Sequence, residues 1–435
     1  MRIDHILARG AWLLGGLAVA MFAAAVSGQE ASNSQTASRA PQAQQGMDAM
    51  HAGHDHGAAV CHSLDLECAT AATPLLLPNG TLWLVWTANG TVSIARSSDH
   101  GRSFGPRTTL AEHGKSLDGG ADARPQLVSN GDGHLLVAYG FFKDTHWNAQ
   151  VNLVRSDDDG KSFTAPYALS SDPVSQRFPA LNVAPDGQIF AAWLDKRLIA
   201  AARKSGEERE GAAIAFAWSG DDGRSFRGER IAHGESCECC RIAANLTPAG
   251  LPVLLYRAIF DEGQERDHAL QVFSSRETPG QVARVAADHW RTHTCPHHGP
   301  ALAVSASGAI EAAWFTQGSA RQGVFLARSI DQGKQFSAPV ALLDPDRPES
   351  HSGRPALLAL GHHVWLAWKA FDGKEARILV EHSGDDGATW SAPAVVASAS
   401  GYTDHPMLLA DRGHPFLSWL TRTQGYKLLA LDSGS

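Results

Sequence analysis

The chain has few cysteines, no block of basic residues and, after its N-terminus, no apolar run long enough to cross a membrane. A net charge of -8 without a basic patch excludes nucleic acid as a partner. The missing apolar run excludes a membrane span in the mature protein. Only 6 cysteines occur in 435 residues, yet three of them fall within four positions of "ESCECCR", residues 235–241.

The first 58 residues have the composition of a leader and a linker. Arg2 and Arg9 precede an uncharged apolar run and small residues follow, which predicts a signal peptide over residues 1–28 and a periplasmic or secreted protein. Residues 29–58 are rich in Gln, Ala and Ser and are predicted to be disordered. This segment contains a group of copper-type ligands, and the alternative is a plain linker with incidental histidines. The group consists of Met47, Met50, His51, His54 and His56.

One octapeptide recurs five times in residues 59–435, the predicted folded domain. Every copy fits Ser-x-Asp-x-Gly-x-x-aromatic, as in "SSDHGRSF" and "SGDDGATW". In such a turn the Asp accepts backbone N–H groups, the Gly takes a positive φ and the aromatic side chain anchors the turn to a sheet. The aspartates of the five copies are Asp99, Asp158, Asp221, Asp331 and Asp385. These residues are therefore predicted to be structural.

A second repeat runs in phase with the first and predicts the number of blades in a ring. Each copy has an apolar strand, a turn and a second strand that ends in Trp or Tyr. The closing aromatics are Trp86, Tyr139, Trp193, Tyr256, Trp314, Trp368 and Trp419. We predict an all-β, seven-bladed propeller in which these aromatics pack between blades. Because the seventh repeat is short, residues 58–66 ("AAVCHSLDL") are predicted to add a strand to the last blade.

The octapeptide is the Asp-box, so the chain resembles the sialidase superfamily of β-propellers. Sialidases have six blades, and a six-bladed ring is therefore the alternative. The resemblance implies an axial pocket in which arginines hold a sugar carboxylate. It also implies a Tyr nucleophile paired with a Glu, and an Asp that serves as acid and base.

Several residues match that pattern at the starts of the blades, where side chains point toward the central channel. Tyr402 and Glu238 resemble the nucleophile and its partner, and Asp404 completes the catalytic candidates. Four arginines are the candidate ligand-binding residues, and for Arg124, Arg177 and Arg354 the alternative role is hydrogen bonding to carbonyl groups between blades. They are Arg124, Arg177, Arg257 and Arg354.

The chain also departs from the sialidase pattern. The position of the family's first arginine reads "AATP", and no Asp occurs between Trp86 and the first Asp-box, where the acid should lie. We therefore expect little or no exo-sialidase turnover, and the sequence leaves open whether the protein is an enzyme.

The cysteines allow two interpretations. An exported protein with six cysteines predicts disulfides, here Cys61 with Cys68 and Cys295 with Cys239 or Cys240. The alternative is a copper or zinc site. Its ligands would be Cys237, Cys239, Cys240, Cys295, His297 and His298. The same motifs resemble bacterial sialidase-like proteins with Cys-x-Cys-Cys and Cys-Pro-x-x-Gly-Pro sequences, a resemblance that implies no particular activity.

The sequence as a whole predicts an exported, monomeric, sialidase-like propeller that binds an anionic ligand, a glycan, in its axial pocket and requires no cofactor. Two alternatives belong to other classes. One is a periplasmic copper- or zinc-binding protein, and the other is a scaffold for protein partners.

Overall fold

Seven antiparallel sheets form a ring in the computed structural model, which describes residues 61–261, 263–292 and 297–431. The predicted signal peptide and linker lie outside these residues. Blade 1 consists of β1 (Ala71–Leu76), β2 (Leu82–Ala88), β3 (Thr91–Ser97) and β4 (Thr108–Glu112). Blade 2 consists of β5 (Leu117–Asp118), β6 (Gln126–Gly131), β7 (His134–Phe142), β8 (Ala149–Ser156) and β9 (Tyr167–Ala168). Blade 3 consists of β10 (Gln176–Val183), β11 (Ile189–Asp195), β12 (Ala212–Ser219) and β13 (Arg227–Ser236).

The remaining four blades repeat this plan, and the seventh has three strands among the described residues. Blade 4 consists of β14 (Ala243–Leu246), β15 (Pro252–Arg257), β16 (His268–Val272) and β17 (Val282–Arg284). Blade 5 consists of β18 (Ala301–Val304), β19 (Ile310–Gln317), β20 (Gln322–Ser329) and β21 (Val340–Ala341). Blade 6 consists of β22 (His351–Leu360), β23 (His363–Phe371), β24 (Glu375–Ser383) and β25 (Ala394–Ser400). Blade 7 consists of β26 (Met407–Asp411), β27 (His414–Thr421) and β28 (Gly425–Ala430).

Helical segments are short. The part of the chain that the structure describes has one α-helix, α1 (Arg197–Ser205), which connects β11 to β12 and buries Ile199 and Ala202. It ends at Gly206, whose φ of +78° is the left-handed conformation that glycine adopts at helix C-termini. Three 3-10 turns span Leu66–Cys68, Gly114–Ser116 and Ala121–Ala123. No helix among the described residues is long and apolar enough to span a bilayer.

The second strand of each blade supplies most of the core, because neighbouring blades cover both of its faces. All residues of β2, β11 and β15 are buried. The seven closing aromatics have exposed fractions of only 0–2%. The predicted seven-bladed propeller is confirmed, the six-bladed alternative is wrong, and the aromatic stripe is packing between blades.

The five octapeptide turns share one set of hydrogen bonds. In each, the Ser Oγ accepts the Gly N–H at 2.9 Å. The Asp Oδ1 accepts the backbone N–H of the residue four positions after the Asp. For example, Asp99 Oδ1 accepts from the Ser103 N–H at 2.9 Å. The final aromatic packs on a core cluster, as Phe104 and Trp390 do. These contacts are structural, and they lie in the turns between the third and fourth strands.

Ring closure differs from the prediction. Residues 61–66 do not pair as a strand with β28, so the prediction is wrong for them, and residues 58–60 lie outside the described part. The predicted Cys61–Cys68 disulfide is present, with Cα atoms 5.5 Å apart, and it bends this segment. The segment packs on blade 1, where the Trp86 indole N–H donates to the Leu64 carbonyl at 2.9 Å.

Blade 7 is joined to blade 1 by a side chain instead. Asp404 is 1% exposed, and its Oδ2 accepts the backbone N–H of Ala72 at 3.0 Å. Its backbone carbonyl accepts the indole N–H of Trp419 at 3.0 Å. A single buried carboxylate therefore connects the last inner strand to the first.

Candidate functional site

An axial cavity of about 250 Å³ lies where the inner strands of blades 2–7 converge. Much of its wall is apolar, including Phe178, Ile242 and Leu302. The lining side chains that carry a charge or an imidazole ring are Asp122, Arg124, Arg241 and His405. A small cavity with an apolar wall and a few convergent polar groups has the character of a ligand site.

The Arg124 guanidinium takes part in the contacts that join blade 7 to blade 1. Its Nη2 donates to Asp404 Oδ1 at 2.6 Å, and its Nη1 donates to the Ala72 carbonyl at 3.0 Å. Both side chains are buried, with exposed fractions of 8% and 1%. Burial raises the pKa of Asp404, and the adjacent guanidinium acts against that rise. Arg124 and Asp404 therefore form a buried pair that links blades 1, 2 and 7 beside the cavity.

Arg354 forms a second charge pair across the axis. Its Nη1 donates to Asp122 Oδ1 at 2.7 Å and also to the His297 carbonyl. Arg354 has a φ of +57°, which is unusual for a residue with a long side chain and marks a locally constrained backbone. This pair joins blade 6 to blade 2, so Asp122 and Arg354 balance each other's charge.

Two further cations have no carboxylate partner in the described part of the chain. Arg241 donates to the carbonyls of Pro300 and Gly299 at 3.0 and 3.2 Å. Burial lowers the pKa of Arg241 to about 10. Lys369 donates from Nζ to the Thr403 carbonyl at 3.2 Å, and burial together with Arg354 lowers its pKa to about 8.

Three buried nitrogen atoms at the axis have no hydrogen-bond partner among the described residues. They are Nε of Arg241 and Nδ1 of His298 and His405. Burial, reinforced by Arg354, lowers the pKa of both histidines, so their rings are neutral at pH 7. Two of these three atoms, on Arg241 and His405, belong to side chains that line the cavity.

The structure does not bring the predicted Tyr402–Glu238 pair together. The Tyr402 hydroxyl donates to the Thr70 carbonyl at 2.5 Å, and burial raises the pKa of this phenol. Glu238 instead pairs with Lys196, the residue before α1, with 2.5 Å between Oε2 and Nζ. Their catalytic roles stay predictions without support from these contacts.

Two of the predicted ligand-binding arginines have intramolecular partners. Arg177 binds both carboxylate oxygens of Asp118, at 2.7 and 2.9 Å. Arg257 is 1% exposed and donates to the carbonyls of Arg266 and Phe315 at 2.8 and 2.9 Å. Its guanidinium also lies 4.2 Å from the ring centroid of Trp290. The ligand-binding roles of both arginines stay predictions.

The three cysteines of the "ESCECCR" segment form a buried sulfur cluster. Their sulfur atoms lie within 4.8 Å of one another. Cys239 is disulfide-bonded. Cys295 lies outside the described residues, so its predicted bond to Cys239 or Cys240 stays a prediction. The predicted copper or zinc site also stays a prediction, and it requires the Cys239 sulfur to be released from its disulfide.

The remaining two thiols of the cluster, Cys237 and Cys240, titrate differently. A hydrogen bond from Cys240 and the charge of Arg257 lower the pKa of Cys237 to about 7. Burial raises the pKa of Cys240. Of the predicted imidazole ligands, His298 stacks on Phe315 with ring centroids 4.0 Å apart.

Sequence reasoning missed Lys369 and Asp122 and singled out Arg241 only as part of the cysteine group. A signal for Lys369 was available, because it directly follows the closing aromatic Trp368. Arg257 holds the equivalent position after Tyr256. Arg257 and Lys369 therefore both lie in the C-terminal part of the second strand of their blade, β15 and β23.

No protein-family model and no curated protein matches this sequence. An ulvan lyase of known structure is 10% identical, with 83% of this chain and 94% of the lyase aligned and a TM-score of 0.53. A second polysaccharide lyase is 9% identical over 87% of this chain and 90% of its own, with a TM-score of 0.52. The intramolecular trans-sialidase from Ruminococcus gnavus is 11% identical over 87% and 98% of the two chains, with a TM-score of 0.42.

These likenesses concern the fold, and of the three structures the two lyases overlay closely enough to support it. The fold defines the chain as a seven-bladed β-propeller. Its axial cavity is lined by Arg241, which has no carboxylate partner in the described residues, together with Asp122 and Arg124, each of which has a partner of opposite charge.

Proposed function

We propose that the axial cavity binds an anionic saccharide, with Arg241 and Lys369 contacting its acid group. The observation that carries this proposal is that neither Arg241, on the cavity wall, nor Lys369 has a carboxylate partner in the described residues. Arg124 pairs with Asp404 and Arg354 pairs with Asp122, so these four charges cancel. Arg241 and Lys369 leave the axis with excess positive charge in a poorly solvated space, where an anion is strongly favoured.

The hydrogen-bonding groups of the cavity fit a saccharide acid. Arg241 retains an unused Nε–H, and a guanidinium can donate two parallel hydrogen bonds to a carboxylate. The neutral His405 ring offers an unused nitrogen to a sugar hydroxyl. The apolar wall, with Ile242 and Leu302, suits the C–H face of a sugar ring.

The size of the cavity limits the ligand to a single sugar unit. Its volume of about 250 Å³ is below the roughly 300–1,000 Å³ of sites for drug-sized ligands. We therefore propose that it holds a terminal acidic residue of a glycan. The shared architecture with polysaccharide lyases makes saccharides the first ligands to test, although architecture alone assigns no function.

Arg241→Met is expected to weaken binding of glucuronate by about 10- to 100-fold, because a charge-assisted hydrogen bond contributes roughly 1.5–3 kcal/mol. Isothermal titration calorimetry measures the dissociation constant, with glucose as the neutral ligand matched in ring size. Arg412→Met is the control, since this arginine side chain is 68% exposed and lies away from the cavity. Equal affinity for glucuronate and glucose, or an unchanged affinity in the Arg241 variant, contradicts the proposal.

Binding of the same anion is expected to weaken as the pH rises through about 8, where Lys369 loses its charge. The pKa of Lys369 lies below the usual range for lysine. The side chain is therefore fully protonated well below pH 8 and neutral well above it. We expect an approximately tenfold loss of affinity between pH 6.5 and 9.5, the effect of one charge-assisted contact. Lys369→Arg should bind equally at both values, and Lys369→Met should bind weakly at both. A wild-type affinity that does not change over this range rules out a role for Lys369.

Hydrolysis of a fluorogenic sialoside is expected to be undetectable. The Tyr402 hydroxyl is engaged by the Thr70 carbonyl, and Glu238 is held by Lys196. A nucleophile needs a base within hydrogen-bond reach, which this arrangement does not provide. Release of the fluorophore by the wild-type chain and its loss in Tyr402→Phe would reverse this conclusion.

The proposal includes export of the protein to the periplasm or the exterior, where acidic glycans are accessible. It rests on the leader pattern of residues 1–28. We also propose that the protein acts as a monomer, since the ring provides the cavity from one chain.

A further inference from the structure

We infer that Cys237 and Cys240 form a reversible disulfide that locks the connection between blades 3 and 4. The two residues flank Glu238 and Cys239, which form a turn directly after β13. The first and fourth residues of such a turn have Cα atoms less than about 7 Å apart, within the range that a disulfide spans.

The sulfur positions favour this pairing over any other in the described part of the cluster. Sγ of Cys237 lies 2.8 Å from Sγ of Cys240 and 3.6 Å from Sγ of Cys239. The longer distance is an ordinary non-bonded contact, whereas the shorter one is closer than two separate sulfur atoms pack. Cys239 is disulfide-bonded already, which leaves Cys240 as the partner for Cys237.

The same distances disfavour a zinc ion held by Cys237 and Cys240. Two thiolates on one tetrahedral zinc, each about 2.3 Å from the metal, lie roughly 3.8 Å apart. The 2.8 Å separation between these sulfur atoms is too short for that geometry. A direct sulfur–sulfur bond requires only a small further approach.

The bond forms by thiol–disulfide exchange with a small-molecule or protein disulfide as oxidant. The Cys237 thiolate attacks one sulfur of the oxidant, which gives a mixed disulfide and releases one thiolate of the oxidant. The Cys240 thiolate then attacks the Cys237 sulfur and releases the second thiolate. In total, two cysteine thiols lose two electrons and two protons, and the oxidant disulfide is reduced to two thiols.

The bond would close the turn between blades 3 and 4, at the edge of the axial cavity. The N–H of Cys237 donates to the Arg257 carbonyl at 2.9 Å, which anchors it to β15 of blade 4. Cys240 directly precedes Arg241, whose side chain lines the cavity. Closing the bond therefore fixes the backbone that presents Arg241. This consequence for ligand binding rests on the proposed function, whereas the existence of the bond does not.

Peptide mapping of the full chain, purified without reductant and treated with N-ethylmaleimide, tests the pairing. Trypsin and Glu-C together release residues 236–238 and 239–241 as separate peptides, with Cys237 in the first and Cys240 in the second. We expect the two peptides to remain joined until reductant is added. They should remain joined in Cys239→Ser and separate in Cys240→Ser, which are matched single-atom changes at adjacent positions.

A complementary measurement needs no variant. In the chain purified without reductant and then denatured, Cys237 and Cys240 should not react with maleimide, and both should become reactive after reduction with dithiothreitol. Maleimide labelling of Cys237 and Cys240 in the unreduced, denatured chain would overturn the inference. So would a linkage that survives in Cys240→Ser, or one equivalent of zinc or copper that protects both thiols until a chelator is added.

Discussion

Asp404→Ala is expected to lower the free energy of unfolding by about 3–5 kcal/mol, because it leaves the buried Arg124 guanidinium without its counter-charge. Asp404 is 1% exposed and accepts hydrogen bonds from Arg124 at 2.6 Å and from the Ala72 N–H at 3.0 Å. The substitution also removes the side chain that joins blade 7 to blade 1. The described residues provide no shared strand at this junction, so the ring is closed there by side-chain contacts, of which the Asp404 pair is the buried charged one.

Denaturant unfolding monitored by tryptophan fluorescence measures this effect. Asp346→Ala is the matched control, since Asp346 also pairs with an arginine, Arg377, but has a side chain that is 70% exposed. An exposed pair of this kind contributes less than about 1 kcal/mol. If the two variants unfold at the same denaturant concentration, the Asp404 contacts do not close the ring.

Glu311→Gln is expected to stabilise the protein by about 2–4 kcal/mol at pH 8 and to have little effect near pH 4.5. Glu311 is 1% exposed, and neither of its carboxyl oxygens has a hydrogen-bond partner among the described residues. The Arg328 Nε lies 3.4 Å from Glu311 Oε1, and its charge acts against the rise in the pKa of Glu311. Burial raises its pKa to about 9. Gly387 of the fifth octapeptide turn packs directly on this carboxyl group, so the site is closed to water.

The sign of this effect follows from the raised pKa. Below the ordinary carboxyl pKa, Glu311 is protonated in both the folded and the unfolded chain. At such a pH its ionisation does not reduce the free energy of unfolding. As the pH rises toward 9, the unfolded chain releases the proton while the folded protein retains it, so stability is lost. Unfolding free energies at pH 5 and pH 8 should therefore differ less in Glu311→Gln than in the wild type. The exposed Glu349→Gln is the control, and an identical pH dependence in all three proteins contradicts the assignment.

The fold could be predicted because its repeats are local. The octapeptide requires only a Ser, an Asp and a Gly at fixed spacing, and each blade buries one closing aromatic such as Trp193 or Trp368. The contacts that close the ring could not be predicted in the same way. It depends on contacts between residues more than 300 positions apart, such as Asp404 with Ala72, and no repeat encodes them.

The location of the candidate site could be predicted from the sequence, but the role of each residue in it could not. The starts of the blades do meet at the axis, yet their arginines differ in what they contact. Arg124 and Arg177 are bound to carboxylates, while Arg241 is not. The sequence gives residue types, but whether a guanidinium is available to a ligand depends on partners such as Asp118, which comes from a different blade than Arg177.

A crystal structure of the chain soaked with an acidic monosaccharide tests the central claim most directly. Glucuronate is the first choice, and a parallel soak with glucose is the control. We predict that the sugar carboxylate lies in the axial cavity within hydrogen-bond distance of the Arg241 guanidinium and the Lys369 ammonium group, with glucose absent at the same concentration. Glucuronate bound elsewhere on the propeller while the axial cavity holds only water would contradict the account.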